Sequence, residues 1–245
     1  MNSIRTIDLT TNPPKVCVPV FGRDADALLS SCLAAKDAPF DVIEWRADYW
    51  GHLSSLDEAL SLVRRFLPAA PLLVTFRTAG EGGEQDVDED TYFSILHRFI
   101  TSDAADAVDV EYAHDPKARQ AAILLALAHG ITPIVSSHNF KNTPAREELE
   151  ALLARLAETG GVGKLAVMPR SPEDVLALLS ATLSVKARYP DQPLITMAMG
   201  PLGMITRLAG ETFGSALTFG TAQAASAPGQ LPARDLKRIL HLLHA

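Results

Sequence analysis

Lys164 is the residue in this sequence best suited to covalent chemistry. It stands in Val162-Gly163-Lys164-Leu165-Ala166-Val167, an apolar run typical of a strand buried on both faces. Lysine is seldom fully buried without a partner. Burial and nearby arginine cations both favour the neutral amine. A neutral amine attacks a ketone to form an imine, which acts as an electron sink. The competing account is a strand-end lysine whose ammonium snorkels to water. His138, in Ser136-Ser137-His138-Asn139, is the natural acid–base partner, because an imidazole with an unperturbed pKa of about 6.5 takes and returns a proton near neutrality. Taken alone it is more readily a strand-end histidine satisfied by its neighbours. Arg46, Arg77 and Arg207 are candidates to grip a carboxylate, one of them as a bidentate fork. They could instead pair with Glu44, Glu81 or Asp109 in a structural network, and both roles can hold at once. His241 and His244 share a helix face, but a solvated C-terminal face explains them. HExxH and CxxC spacings are both absent, and no metal is assigned. Gly163-Lys164 is not a phosphate loop, because Glu158 stands where its first glycine belongs and Leu165 where Ser or Thr belongs.

These residues need elements to position them. Apolar or β-branched runs at residues 15–21, 42–46, 72–76, 107–111, 132–137, 163–167, 194–199 and 215–219 read as strands. Between them, residues 24–36, 54–67, 116–129, 144–158 and 171–186 carry helix-period Leu/Ala faces. Ser54 with Glu58, Asp115-Pro116, Thr143-Pro144 and Ser171-Pro172 mark helix starts, and Gly130 and Gly160-Gly161 mark ends. Strands alternating with helices predict an α/β fold, a single (β/α)8 TIM barrel over residues 1–245; about 250 residues is typical of that fold. The alternative, an open doubly wound sheet, calls for a glycine-rich turn after the first strand, where Phe21-Gly22-Arg23-Asp24 has one glycine. In a barrel the strand C-termini form the active face. Glu44, Arg46, Arg77, Glu81, Asp109, Glu111, His138 and Lys164 all fall at or near such ends, and Arg207 and Ser226-Ala227-Pro228-Gly229-Gln230 follow the last two strands. The small-residue stretch 222–232 reads as a flap over that face, its segment 224–229 suited to closing over a ligand.

Composition narrows the function classes. Of 245 residues, 47% are hydrophobic and 21% charged, which excludes disordered and collagen-like chains. A net charge of −7 repels phosphate backbones and anionic lipid, so neither nucleic acid nor membrane is the expected partner. A small anionic substrate remains compatible, since a few arginines make a local positive pocket. Cys17 and Cys32 are too few for a disulfide framework and read as free thiols in a reducing cytosol. The first residues lack an apolar signal-peptide core, and the longest apolar run, residues 121–128, falls far short of the ~20 residues of a membrane span. A cytoplasmic location is therefore expected.

Taken together, in order and spacing, several segments resemble the type I 3-dehydroquinate dehydratase family. They are Glu44-Trp45-Arg46-Ala47-Asp48, Thr75-Phe76-Arg77 with Glu81-Gly82-Gly83-Glu84, Ser136-Ser137-His138-Asn139-Phe140 and Lys164-Leu165-Ala166-Val167-Met168-Pro169. Met197-Ala198-Met199-Gly200, Arg207-Leu208-Ala209-Gly210-Glu211 and Ser226-Ala227-Pro228-Gly229-Gln230 complete the set. The resemblance covers roughly residues 15–232 and implies a (β/α)8 barrel. It implies a hydro-lyase that dehydrates 3-dehydroquinate in the shikimate pathway to aromatic amino acids, through a lysine imine and without metal or cofactor. By motif, Lys164 resembles the imine-forming lysine and His138 the general acid–base. Arg207 resembles the clamp on the substrate carboxylate, aided by Ser226 and Gln230. Glu44, Arg46 and Arg77 resemble the groups that hold ring hydroxyls. Glu81 matches a carboxylate near the histidine, while Met197, Met199, Phe219 and Ala227 line the pocket. The family includes dimers, so a homodimer is one expectation. One departure is Pro19, where many members carry a serine; the implied consequence is a missing hydroxyl contact to substrate.

Two rivals differ in what they require. A class I aldolase also uses a barrel lysine imine but calls for a phosphate-binding glycine-rich turn after strands seven and eight. A barrel retained only for ligand binding would be expected to have lost Lys164 or His138, and both are present.

Overall fold

Among the described residues, eight parallel strands pair side by side in chain order: β1 (Lys15–Val20), β2 (Val42–Arg46), β3 (Leu72–Thr75), β4 (Ala107–Glu111), β5 (Thr132–Asn139), β6 (Val162–Val167), β7 (Leu194–Ala198) and β8 (Leu217–Thr221), and a two-residue strand, Leu231–Pro232, pairs parallel with β8. β8 pairs with β1. The last seam closes through a parallel bridge between Leu194 and Ser215, where the Ala216 N–H donates to the Leu194 carbonyl at 2.7 Å. Ser215 Oγ accepts from the Thr196 N–H at 3.0 Å, so a side chain stitches the same seam. The sheet thus closes on itself as a (β/α)8 barrel, and the doubly wound alternative, which leaves two free sheet edges, is excluded. This computed structural model describes residues 2–223 and 225–244; Ala224, which falls in the flap segment read from the sequence, lies outside the described residues.

The helices are α1 (Ala25–Lys36), α2 (Leu56–Phe66), α3 (Glu89–Ile100), α4 (Pro116–Ala128), α5 (Arg146–Ala157), α6 (Pro172–Arg188), the short turns α7 (Gly200–Gly203) and α8 (Gly210–Phe213), and α9 (Ala233–Leu243). Asp24 caps α1 by accepting from the Ala27 N–H at 2.9 Å. Asp115 caps α4 from two N–H groups, and a cap of this kind contributes about 1 kcal/mol. Two expected starts shift. α2 begins at Leu56, after a 3-10 turn over Leu53–Ser55, and α5 begins at Arg146 behind Ala145. Pro144 biases Thr143 toward extended backbone, which delays the α5 start. α3 is absent from the helices expected above. It is capped by Asp88 and buries Tyr92, Ile95, Leu96 and Phe99, the i, i+3, i+4, i+7 stripe of an amphipathic helix. Among the described residues, no helix is long and apolar enough to cross a membrane.

Two strand ends matter for chemistry. β5 runs two residues past its expected end, with His138 and Asn139 paired to Ala166 and Val167 of β6. β8 begins at Leu217, because Ser215 is engaged in the seam.

Period-two alternation sorts the side chains. On β6, Gly163, Leu165 and Val167 face outward, with Leu165 and Val167 packing in a cluster with Leu153, Leu156 and Leu178, while Val162, Lys164 and Ala166 face the barrel axis. On β2, Ile43 and Trp45 point to the helix layer and Val42, Glu44 and Arg46 point inward. The inward positions form layers. The floor is apolar: Cys17, Val42, Leu73, Ala107, Ile134, Val162, Ile195 and Leu217. An antiparallel hairpin, Ser3–Ile4 against Ile7–Asp8, seals it from below with buried Ile4 and Leu9. Above the floor the inward residues become polar and ionisable, toward the strand C-termini. Both cysteines are buried and unpaired; Cys17 sits in the floor, and burial pushes the Cys32 thiol up to about 12.

Candidate active site

Lys164 projects from the middle layer of the barrel and is only 4% exposed. Its Nζ donates to Asp109 Oδ2 at 3.1 Å, lies 3.7 Å from Glu44 Oε1, and sits 4.7 Å from the centroid of the Phe219 ring. Snorkelling to water is therefore not its environment. Its nearest charges are carboxylates, and the nearby arginine cations expected from the sequence do not touch it. Arg77 stands one step further out, its Nη2 2.8 Å from the same Asp109 oxygen.

His138 opens into the same cavity from β5. Its Nδ1 lies 2.9 Å from Glu81 Oε2, and its backbone N–H donates to that oxygen at 3.1 Å. Burial, Arg77, Lys164 and Arg46 together hold the imidazole well below its ordinary range. Burial pushes the Glu81 carboxyl up to about 8, against the opposing pull of Arg77. The lowered imidazole is therefore neutral near pH 7. Glu81 occupies Nδ1, and among the described residues Nε2 has no protein partner, leaving that nitrogen for chemistry in the cavity. Glu81 itself sits on a 3-10 turn, Ala79–Glu81, that ends in Gly82. Gly82 has φ +83°, and a Cβ there would stand 2.3 Å from the Phe140 ring, so this turn requires glycine.

The three arginines separate into two kinds. Arg46 forks onto Asp48 at 2.8 and 2.7 Å, so its partner is Asp48 and not one of the three carboxylates expected from sequence. Arg77 reaches Glu111 at 2.9 Å, Glu81 at 3.3 Å, Asp109 at 2.8 Å and Ser136 Oγ at 2.9 Å. Both cations are neutralised within the protein, and both still line the cavity. Arg207 is different. It follows β7 in a 3-10 turn and is 1% exposed, and among the described residues it has no carboxylate partner. Its Nη2 donates to the Pro228 carbonyl at 3.1 Å, its Nη1 touches Met197 Sδ at 3.7 Å, and its Nε has no partner among the described residues. Burial pushes its pKa down to about 10. A buried guanidinium without a counter-ion is costly, and an incoming carboxylate relieves that cost.

The segment after β8 roofs the cavity. Ser226 and Gln230 bond each other, the Ser226 N–H to Gln230 Oε1 at 3.0 Å and Gln230 Nε2 to Ser226 Oγ at 3.1 Å. Pro228 O accepts from the Gly200 N–H as well as from Arg207. Gly229, at φ +76°, lies so close to Gly200 that a Cβ would stand 2.4 Å from its carbonyl oxygen.

Every site residue named from the sequence lines this one cavity: Lys164 and His138, Glu44, Arg46, Arg77 and Glu81, Arg207, Ser226, Ala227 and Gln230, and the apolar Met197, Met199 and Phe219. Thr75, Gly82, Phe140 and Ala166 complete the lining. Pro19 is buried level with Glu44 but lines a neighbouring cavity with Phe21 and Tyr49. Sequence reasoning gave no role to Asp48, Ser136 or Glu111, and gave Asp109 only that of an arginine's counter-ion. The available signal was their position, since polar side chains at inward points of strands buried on both faces require partners.

A family model for type I 3-dehydroquinase matches residues 16–245. The chain is 42% identical over 245 residues to a 3-dehydroquinate dehydratase of Bacillus licheniformis, covering 98% of this chain and 96% of that protein. It is 39% identical over 247 residues to a 3-dehydroquinate dehydratase of Escherichia coli, covering 99% and 98%. Among solved structures it resembles a type I 3-dehydroquinate dehydratase of Clostridium difficile, bearing covalently modified comenic acid, with a TM-score of 0.94 and 37% identity over 99% of this chain and 97% of that one.

Proposed function

The chain belongs to the type I 3-dehydroquinase family and is a hydro-lyase with 3-dehydroquinate dehydratase activity, and we propose that it eliminates water from 3-dehydroquinate through an imine on Lys164, as the third step of the shikimate pathway. The observation that carries this reading is the convergence of Lys164 and His138 on one cavity that also holds the uncompensated Arg207.

In this mechanism the Lys164 amine adds to the C3 ketone, and His138 moves the protons that let water leave and the protonated imine form. The imine nitrogen draws electrons and acidifies the C2 hydrogens. His138 takes one of them; the C–H pair becomes the double bond of an enamine. The enamine pushes out the C1 hydroxyl, which leaves as water with the proton His138 has just gained. Water then hydrolyses the conjugated imine, releasing 3-dehydroshikimate and restoring the amine. One histidine serves both proton transfers if the elimination is syn, because both then occur on one face of the ring. The single open Nε2 of His138 supports that economy. Arg207 clamps the substrate carboxylate, with Ser226 and Gln230 releasing each other to help. Glu44, Arg46 and Arg77 hold the ring hydroxyls, Glu81 orients His138, and Met197, Met199, Phe219 and Ala227 shape the apolar wall. A cytoplasmic enzyme that works as a homodimer, without metal or cofactor, belongs to the same proposal.

The test is intact mass after mixing the protein with 3-dehydroquinate and borohydride. A covalent adduct that maps to Lys164 is expected; folded protein that gives none with fresh substrate overturns the imine mechanism. A second expectation concerns binding. Arg207→Ala removes a charge-assisted contact, so KM should rise by about 10–100-fold, with a smaller change in kcat. An unchanged KM would put the carboxylate elsewhere.

A further inference from the structure

We infer that β4, which contributes no side chain to the cavity lining, sets the spacing of the machinery through two positioning residues: Asp109 for Lys164 and Glu111 for the Glu81–His138 pair. The inference rests on the imine reading above and assigns its support. Asp109 and Glu111 stand two residues apart on the inward side of β4, alternating with the outward Val108 and Val110, and are 0% and 1% exposed. Burying two carboxylates is expensive, and apolar side chains of similar volume would serve the core at least as well. Each is instead saturated by donors that belong to the site. Asp109 accepts from Lys164 Nζ at 3.1 Å and from Ser136 Oγ at 2.6 Å, and lies 2.8 Å from Arg77 Nη2. It therefore fixes where the amine points.

Glu111 grips the start of the turn that carries Glu81. Its Oε1 accepts from Arg77 Nη1 at 2.9 Å and from the Thr78 N–H at 2.8 Å. Its Oε2 accepts from Thr78 Oγ1 at 2.7 Å and lies 3.2 Å from His114 Nε2. Thr78 immediately precedes the Ala79–Glu81 turn, so holding Thr78 at two atoms places Glu81 against His138. One planar guanidinium, that of Arg77, joins the two supports, with Nη2 at Asp109 and Nη1 at Glu111. The offset between amine and imidazole is thereby tied to one i, i+2 step of a strand, the most rigid ruler in the barrel.

The test separates the two roles. Asp109→Asn is expected to slow single-turnover borohydride trapping and to lower kcat by about 100-fold with KM unchanged, the size of loss that follows a misplacement of roughly 1 Å. Glu111→Gln, which disturbs His138 in every proton transfer, is expected to slow imine trapping only mildly and the C2 proton abstraction much more, so the primary isotope effect from deuterium at C2 increases. A merely structural role would move neither signature selectively. Ser136→Ala and Thr78→Val, which each remove one donor to these carboxylates, carry the same two readouts in milder form where an acid variant fails to fold. Wild-type trapping rates in the Asp109 and Ser136 variants, or an unaltered isotope effect in the Glu111 and Thr78 variants, would overturn the inference. Absence of any adduct in the wild-type protein would instead overturn the imine reading beneath it.

Discussion

Lys164→Ala should abolish turnover of 3-dehydroquinate while leaving the barrel folded. The chemical loss is the electron sink itself: without the amine no imine forms, and the C2 hydrogens keep the acidity of an ordinary ketone. Removing an essential nucleophile costs on the order of 10⁵–10⁶ in kcat. The structural loss is smaller. Asp109 keeps Arg77 at 2.8 Å and Ser136 Oγ at 2.6 Å, so it is not left as an unpaired buried charge. The cavity left by the lysine stem adjoins the existing one and can fill with water. A destabilisation of about 3 kcal/mol, the lower end for breaking a buried ion pair, leaves a domain of ordinary stability folded. Circular dichroism and thermal unfolding check the fold, and the dehydration assay checks the chemistry. Near-normal rates in this variant would refute the imine assignment. Lys164→Met, which keeps the volume and loses the amine, should behave as Ala does in the assay and better in unfolding.

The second large effect is expected at His138. His138→Ala removes the group that serves each proton transfer, and general acid–base catalysis of this kind contributes about 10²–10⁴-fold per step. The amine is intact in that variant, so a covalent species should accumulate on Lys164 and appear by mass without borohydride. A full-speed variant would remove the histidine from the mechanism. The wild-type pH profile bears on the same residue. Burial and the surrounding cations lower the imidazole well below 6.5, so protonation of the base begins only at acid pH. The sign follows directly: as pH falls through that lowered value the neutral base is lost, and kcat/KM declines there and not near 6.5. A profile whose acid limb centres at about 6.5, the value of an ordinary histidine, would contradict the buried, cation-flanked environment.

Much of this molecule is legible in its sequence. The alternation of strand and helix predicted a barrel, and the ionisable residues at the strand ends predicted its active face. Residue type and position make Lys164 and His138 candidates, and the family resemblance carries both past the snorkelling-lysine and satisfied-histidine readings. Two kinds of feature escaped. α3 went unread although Tyr92, Ile95, Leu96 and Phe99 carry the helical period, because its first turn is crowded with the acidic residues of a long loop and the stripe emerges only past them. The charge partners escaped for a deeper reason. Lys164 and Asp109 are 55 residues apart in the chain, and Arg77 and Ser136 are 59 apart. Arg46 chose Asp48, two residues away, over the nearby Glu44.

By itself the sequence determined which side chains face the barrel axis and which end of it carries the chemistry. Facing is a property of local backbone geometry, since successive side chains on a strand point to opposite sides, and parity is countable from residue order. Only the tertiary structure decided that two arginines are neutralised by carboxylates while the third has none among the described residues, and that β4 supplies carboxylate partners to Lys164 and Arg77 without lining the cavity. Those outcomes depend on distances of a few ångströms inside a medium that screens charge poorly, where a donor chooses one carboxylate over another by position and burial. Linear spacing carries no such distances; closing the eight strands into a ring creates them.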